Sequence, residues 1–316
     1  MVDFKFKAVL AALASAVMLS SCGGGGSSAP ANTPTSGTVT ISVDESFQPI
    51  VESQVKTFES IYKYAEITDN YKPEGAVVQD LLNDSVKVAV LSRDLNDEER
   101  AAFEKQNRIP RPIKLAIDAV ALIVNNNNPD SLLTLDQVKS IFQGKTTSWG
   151  SISSGTSLKD ITIVFDNNSS STARFVKDSL LAGQSLPQNT YASNSHTALI
   201  DYVAENDNAI GVIGVNWISD TDDSTVVGFR NKIKVVGISK EANPTSEDSY
   251  YQPYQAYIAQ GNYPLTRNLY VINIEGRAGL GTGFASFAAG DQGQRIILKS
   301  GLVPATMPVR IIGLRK

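Results

Sequence analysis

Apolar residues along this chain fall into short blocks that switch between two periodicities. Val39 to Val43 is a run of β type, and it passes through Asp44-Glu45-Ser46-Phe47-Gln48-Pro49 into a stretch where Ile50, Val51, Val55, Phe58 and Ile61 recur at helical spacing. Pro49 suits the first turn of that helix, where a missing N–H costs nothing. Tyr64 to Thr68 predicts a second strand, a loop follows around Tyr71 to Gly75, and Val77, Val78, Leu81 and Leu82 predict a second helix before a strand from Val86 to Leu91. This βαβαβ start is the pattern of a parallel sheet with crossover helices. Ser92-Arg93-Asp94-Leu95 ends the third strand, and Asn96-Asp97-Glu98-Glu99 opens a helix with carboxylates where the helix dipole favours them.

Ile113 to Val124 is a longer apolar run broken by Lys114 and Asp118, long enough to pass from one folded lobe to another, and four asparagines and Pro129 then mark a turn. Ile161 to Phe165 predicts a strand, followed by the polar loop Asp166 to Ser171 and a helix carrying Phe175, Val176 and Leu180. Ala209 to Val215 predicts a buried strand. Beyond Val236 the pattern turns irregular and rich in proline and tyrosine, until Leu269 to Ile274 resumes a strand and Phe284 to Leu298 supplies the last helices. No internal repeat is visible.

The N-terminus adds a targeting signal. Lys5 and Lys7 precede an apolar run from Ala8 to Leu19, the length of a secretory leader and short of the ~20 residues a membrane span needs. It ends in Leu19-Ser20-Ser21-Cys22, the pattern of a lipobox, which marks Cys22 for acylation; residues 1–22 read as leader and lipobox. Residues 23–37, Gly- and Ser-rich without apolar periodicity, read as a flexible linker. The expected place is lipid-anchored to the cell envelope, facing the periplasm, with the bilayer met through Cys22. The remaining length exceeds one ordinary domain and predicts two lobes.

With 28 Lys and Arg against 32 Asp and Glu, the chain lacks the dense basic character of a nucleic-acid binder. A single histidine, His196, and a single cysteine leave few members for zinc sets or nucleophile and base pairings. No metal, no cofactor and no catalytic residue is therefore expected. His196, in Ser193-Asn194-Ser195-His196, reads as a structural or solvent-facing residue at a loop or helix start.

Three junctions share one plan, a strand end, a short polar loop and a helix start: Asp44 to Gln48, Ser92 to Asp97, and Asp166 to Thr172. Ligands of open parallel sheets bind beyond the carboxyl ends of the strands, where helix N-termini offer unpaired N–H groups and partial positive charge. The loop Asn167 to Thr172 has hydroxyls able to donate to several oxygens of a tetrahedral anion, although a serine run before a helix also serves as a plain cap. Arg93 and Arg174 stand ready to supply charge, or to pair with Asp94 and Asp178.

Four further stretches, Ile141-Phe142-Gln143-Gly144-Lys145 with Trp149, Ala209-Ile210-Gly211-Val212, Tyr263-Pro264-Leu265-Thr266-Arg267 with Leu269-Tyr270, and Gly290-Asp291-Gln292-Gly293-Gln294 running to Pro304, stand in order with these loops. In that order the chain resembles the PstS-like phosphate-binding proteins of bacterial ABC importers, within the type II periplasmic-binding-protein fold. The resemblance implies an α/β fold of two lobes joined by two crossover strands, with residues 38–117 and 264–316 in one lobe and 118–263 in the other. It implies capture of phosphate or a related oxyanion for delivery to an ABC permease, and no enzymatic activity. Carried over by position, the family's loops fall on Ser46 and Phe47, on Ser92 and Arg93, and on Ser170, Ser171 and Thr172, with Arg174 standing in for an arginine the family places upstream. The alternative is a two-lobed lipoprotein serving as a sensor or interaction module, suggested by the tyrosine-rich Tyr250 to Tyr263 segment and by acidic loops. Asp44, Glu45 and Glu74 lie at or beside the anion loops, and a carboxylate ~4 Å from an anionic charge costs roughly 4 kcal/mol at an effective dielectric of about 20. Those side chains turn away, or pair with arginines, or the ligand is not a simple phosphate.

Overall fold

The structure, a computed structural model, describes residues 31–309 other than 154, 155, 157, 159 and 221; Cys22 and the leader lie outside them. Strand β1 (Ser36–Asp44) leads through a short 3-10 turn (Glu45–Phe47) into helix α1 (Gln48–Ile61). Strand β2 (Tyr64–Lys72), helix α2 (Glu74–Leu82), strand β3 (Val88–Leu91) and helix α3 (Asp97–Lys105) follow. The parallel start read from periodicity is present, since β1 lies between β2 and β3 and is parallel to both.

The long apolar run is one strand, β4 (Arg111–Asn125), followed by β5 (Leu132–Thr134) and helix α4 (Leu135–Phe142). Next come β6 (Thr162–Phe165), α5 (Ser171–Ser179), β7 (Thr190–Ala192), α6 (His196–Glu205), β8 (Ala209–Gly214) and α7 (Ser224–Arg230). The irregular stretch holds β9 (Ile233–Val235), β10 (Gly237–Ser239) and α8 (Gln255–Ala259), and the chain closes with β11 (Thr266–Asn273), α9 (Leu280–Ala289), α10 (Asp291–Lys299) and β12 (Val303–Pro304).

Among the described residues the main sheet runs β2-β1-β3-β11-β4-β8-β6-β7. It is mixed rather than parallel throughout, because β11 is antiparallel to both β3 and β4, and β4 is antiparallel to β8. Strand β4 belongs to both halves of a two-lobed fold: Arg111 to Ala119 pair with β11, and Val120 to Val124 pair with β8. The return passage meets it at the same level, where the Val120 N–H donates to the Leu265 carbonyl and the Tyr263 hydroxyl to the Val120 carbonyl, each at 2.8 Å.

Helices on both faces explain why the central strands read as continuous apolar runs, every residue of β3 and β8 being buried. Helix α1 turns Ile50, Val51, Val55 and Phe58 inward, and the Phe58 ring meets Phe284 of α9 edge-on at 5.8 Å. A completed capping box, Asn96 with Glu99, starts α3 as its acidic opening suggests. The carboxyl ends of β1, β3 and β6 and the starts of α1, α2 and α5 are thereby turned toward one another.

Candidate functional site

Three hydroxyls and three arginines meet where those ends converge. The Ser46 hydroxyl, just past β1, lies 2.9 Å from the hydroxyl of Ser171, the first residue of α5. Arg267, carried by β11, donates from Nη1 to the same Ser171 oxygen at 2.8 Å and from Nε to Asp118 at 2.8 Å. Register explains the ion pair, since Arg267 and Asp118 are cross-strand partners on β11 and β4 and both point inward. The guanidinium also sits 4.7 Å above the Phe47 ring, which is how the buried phenyl supports the site. Its third nitrogen, Nη2, is buried with no acceptor.

Gly214, ending β8, leaves room for this cluster: a Cβ there would stand 3.1 Å from Arg267 Nη2 and 3.1 Å from the Asn216 amide nitrogen. Asn216 Nδ2 and Trp217 Nε1 both donate to the Ser46 carbonyl, at 2.8 and 3.0 Å, and fix the first loop from across the cleft.

The second cluster is built on Glu74, buried at the start of α2. Its carboxylate accepts from the Ser92 hydroxyl, from Arg93 Nε at 2.9 Å and from Arg174 Nε at 2.7 Å. Arg174 also reaches the Ser92 hydroxyl at 2.8 Å, while Arg93 forks onto Glu99 with two bonds of 2.8 Å. Burial pulls the Glu74 pKa up, but Arg174, the Ser92 hydroxyl and Arg93 together outweigh it and hold the carboxyl below its usual range. Beside it opens a cavity of about 240 Å³ lined by Glu74, Gly75, Arg93, Asn168, Ser169, Ser170, Arg174 and Lys177.

The remaining carboxyls are of another kind. Asp44 is fully buried and accepts from the Ser46 N–H at 3.0 Å, and burial with the nearby Glu74 charge pushes its pKa up to about 6 against the pull of Arg267. Burial, Asp166 and Asp44 push Glu45 up to about 7. Asp166 accepts from the Thr172 hydroxyl at 3.0 Å and lies 3.8 Å from His196 Nδ1. His196 is buried rather than solvent-facing, stacked on Trp217 at 4.5 Å between ring centres, and burial lowers its pKa.

All eight residues singled out by sequence lie at this meeting point, with different tasks. Ser46, Ser92, Ser171, Arg93 and Arg174 present polar groups to it. Ser170 caps α5 through the Ala173 N–H, and its hydroxyl and that of Thr172 are 2.9 Å apart. Phe47 contributes packing. Arg174 bonds Asp178 at 2.7 Å as well as Glu74, so the expected pairing with Asp178 is present. Sequence reasoning passed over Arg267, Asp118 and Asn216; the signal for the first two was a pair of opposite charges inside apolar strands. Of the three options for the acidic residues, Glu74 takes the pairing with arginines.

A model of the PBP superfamily domain matches residues 28–292. Over 260 residues the chain is 26% identical to the phosphate-binding protein PstS of Staphylococcus epidermidis, covering 82% of this chain and 75% of that protein. It is 27% identical over 262 residues to PstS of Staphylococcus aureus, with the same coverage. The crystal structure of a phosphate ABC transporter substrate-binding protein from Clostridium perfringens, with bound phosphate, superposes with a TM-score of 0.71 at 24% identity, covering 85% of this chain and 100% of that one. That likeness speaks for the fold, and the match across most of the described body speaks for the family: the chain belongs to the PBP superfamily.

Proposed function

We propose that the protein is a receptor for phosphate or a closely related oxyanion, delivering it to an ABC-type permease, and not an enzyme. The observation that carries this reading is the Ser171 hydroxyl, met by Ser46 at 2.9 Å and by Arg267 at 2.8 Å, beside a buried guanidinium nitrogen that has no acceptor. A tetrahedral anion has acceptors in several directions and supplies what Arg267 Nη2 lacks. Ser46, Ser92, Ser170, Ser171 and Thr172 line the approach with hydroxyls or helix-start amides, Phe47 backs Arg267, and Arg93 and Arg174 exchange part of their bonding from Glu74 to the ligand.

The lobes are divided in this proposal as residues 38–117 with 264–316, and 118–263. The likeness to PstS proteins of Staphylococcus supports the ligand class. Export and acylation at Cys22 rest on the leader pattern; no helix among the described residues is long and apolar enough to cross a membrane. The reading as a sensor or interaction module draws support from Glu74, whose carboxylate already serves two arginines. Calorimetric titration of the purified protein with phosphate, sulfate and molybdate separates the two. Saturable heat with phosphate is expected, and no heat with any of the three would leave the sensor reading in possession.

A further inference from the structure

Far from the cleft lies a mostly apolar groove of about 550 Å³, with Pro34, Thr35, Ile61, Tyr62, Phe287 and Gln292 among its walls. Its floor is firmly built, since Tyr62 and Phe287 both pack on the buried Phe58 ring, at 4.7 and 5.3 Å between ring centres. Its rim leaves large side chains in water: Ile61 is 43% exposed, and Tyr64, at the start of β2, is 74% exposed. Lys63 is exposed between the two tyrosines, and Asp291 on the opposite rim is paired with Arg295 at 2.9 Å. An apolar patch of this kind, with a polar margin, marks a surface that meets something other than water.

The same groove is where the chain enters the body. The Leu280 N–H at the start of α9 donates to Asn32 Oδ1 at 2.9 Å. Gly283, one turn on, admits the Pro34 backbone so closely that a Cβ there would stand 1.8 Å from the Pro34 carbonyl oxygen. Thr33 and Ser36 then bridge, and β1 begins, so the point of entry is fixed on α9. From Cys22 to Asn32 is ten residues, a span of at most about 36 Å. A lipid on Cys22 therefore keeps a bilayer within that reach of the groove. Strands β1 and β2 are parallel, with Ser36 opposite Tyr64 and Asp44 opposite Lys72. The groove thus lies at their amino ends and the anion loops at their carboxyl ends, roughly 25–30 Å along the strand.

We propose that this face rests on the lipid bilayer, with Ile61, Tyr62 and Tyr64 entering the headgroup boundary, so that the anchored receptor stands with its cleft turned away from the membrane. The inference rests on acylation at Cys22 and is independent of which anion the cleft takes. Tyrosine suits that boundary because its ring is apolar and its hydroxyl wet, and a lysine beside it reaches the headgroups over a long apolar stem. Apolar surface carries the contact more than charge does, so it should persist in high salt. A bilayer is the occupant that the tether brings to this groove.

Cys22 is the single cysteine, so once it is acylated an added cysteine can be labelled alone. The acylated chain, reconstituted into vesicles of phosphatidylethanolamine and phosphatidylglycerol with a quencher on the headgroups, should carry a fluorophore on Gln292→Cys at the groove or on Ser169→Cys at the cleft. Quenching is expected at position 292 and not at 169, at low and high salt alike. Ile61→Ser combined with Tyr64→Ser should weaken the groove contact at least about tenfold, read from the ratio of quenched to unquenched lifetime populations. Phosphate titration of that double variant should match wild type, because both positions lie at the far end of the sheet. Equal quenching of the two probes, or groove quenching that the double variant leaves unchanged, would overturn the inference. A groove probe untouched by lipid but quenched by a second labelled copy in detergent would assign the groove to a dimer and overturn it too. A chain that mass spectrometry finds without lipid would overturn the anchor reading instead. Sedimentation of that chain with the same vesicles, lost in the double variant, would then uphold the face, and failure to sediment would overturn it as well.

Discussion

Glu74 and Glu45 are the same residue type on either side of Asp44, and they are driven in opposite directions. Glu74 is the more buried of the two, yet Arg174, Arg93 and the Ser92 hydroxyl keep it ionised. Glu45 is half-buried, faces Asp166 and Asp44, and holds its proton up to about 7. Burial alone would rank them the other way round. What decides is the partner: a carboxyl among guanidinium groups becomes a fixed negative charge, and a carboxyl among carboxylates becomes a hydrogen donor. An acidic chain can therefore build a pocket for an anion, because the formal charge of the loops is not the charge they carry.

The largest effect should come from turning a paired carboxylate into an isolated one. Asp118 and Arg267 are both buried and joined at 2.8 Å. Arg267→Met would strand Asp118 and cost on the order of 3–5 kcal/mol in chemical denaturation near neutral pH. The loss should shrink toward acid, where Asp118 takes a proton and the stranded charge disappears. A loss that stayed constant with pH would show that packing over Phe47, rather than charge, is what Arg267 supplies.

Glu74→Gln removes the member of the comparison that stays ionised. Arg93 keeps Glu99 and Arg174 keeps Asp178, and both arginines are partly solvated, so the cost should be only about 1–2 kcal/mol. Because the folded pKa of Glu74 is depressed, its contribution is present above about 4.5, the ordinary value, and is lost as pH falls through the folded value. The stability gap between wild type and variant should therefore be open at pH 7 and close in acid, with wild type the more stable; at Glu45 the sign is reversed, because its raised pKa makes wild type lose ground to Glu45→Gln as pH rises from 5 to 7. A gap that widened in acid would break the contrast between the two residues.

Much of this arrangement could be read from residue order, and the unread part has a common cause. The alternation in β1, the spacing in α1 and the length of β4 are local patterns, and they gave the parallel start and the passage between lobes. The strands β5, β7, β9 and β10 are three residues each, too short for any period to show. The hydroxyl and arginine loops were visible because they flank helix starts. Arg267 was not, because its partner Asp118 is 149 positions away and only strand register joins them. The polar neighbours of His196 left a structural and a solvent-facing role both open, and the structural one holds because Trp217 arrives from another element to stack on it.

The smallest effect should be the bond that crosses the cleft without any charge. Ser46 and Ser171 join the same two loops as Glu45 and Asp166, through hydroxyls 2.9 Å apart. Both groups are neutral hydroxyls, so Ser46→Ala should cost about 1 kcal/mol, the usual net value of a neutral hydrogen bond, by the same amount across neutral and mildly acid pH. Ser171 keeps Arg267 as a donor in that variant, and the Ser46 carbonyl keeps Asn216 and Trp217, so nothing buried is stranded. Set beside Glu45→Gln, it separates a neutral contact from a titrating group: a flat offset across pH for the hydroxyl pair, and a difference that grows from pH 5 to 7 for Glu45. A Ser46→Ala offset that itself varied with pH would mean that the hydroxyl contact is coupled to the titrating carboxyls beside it, Asp44 and Glu45, and the three residues would have to be treated as one device.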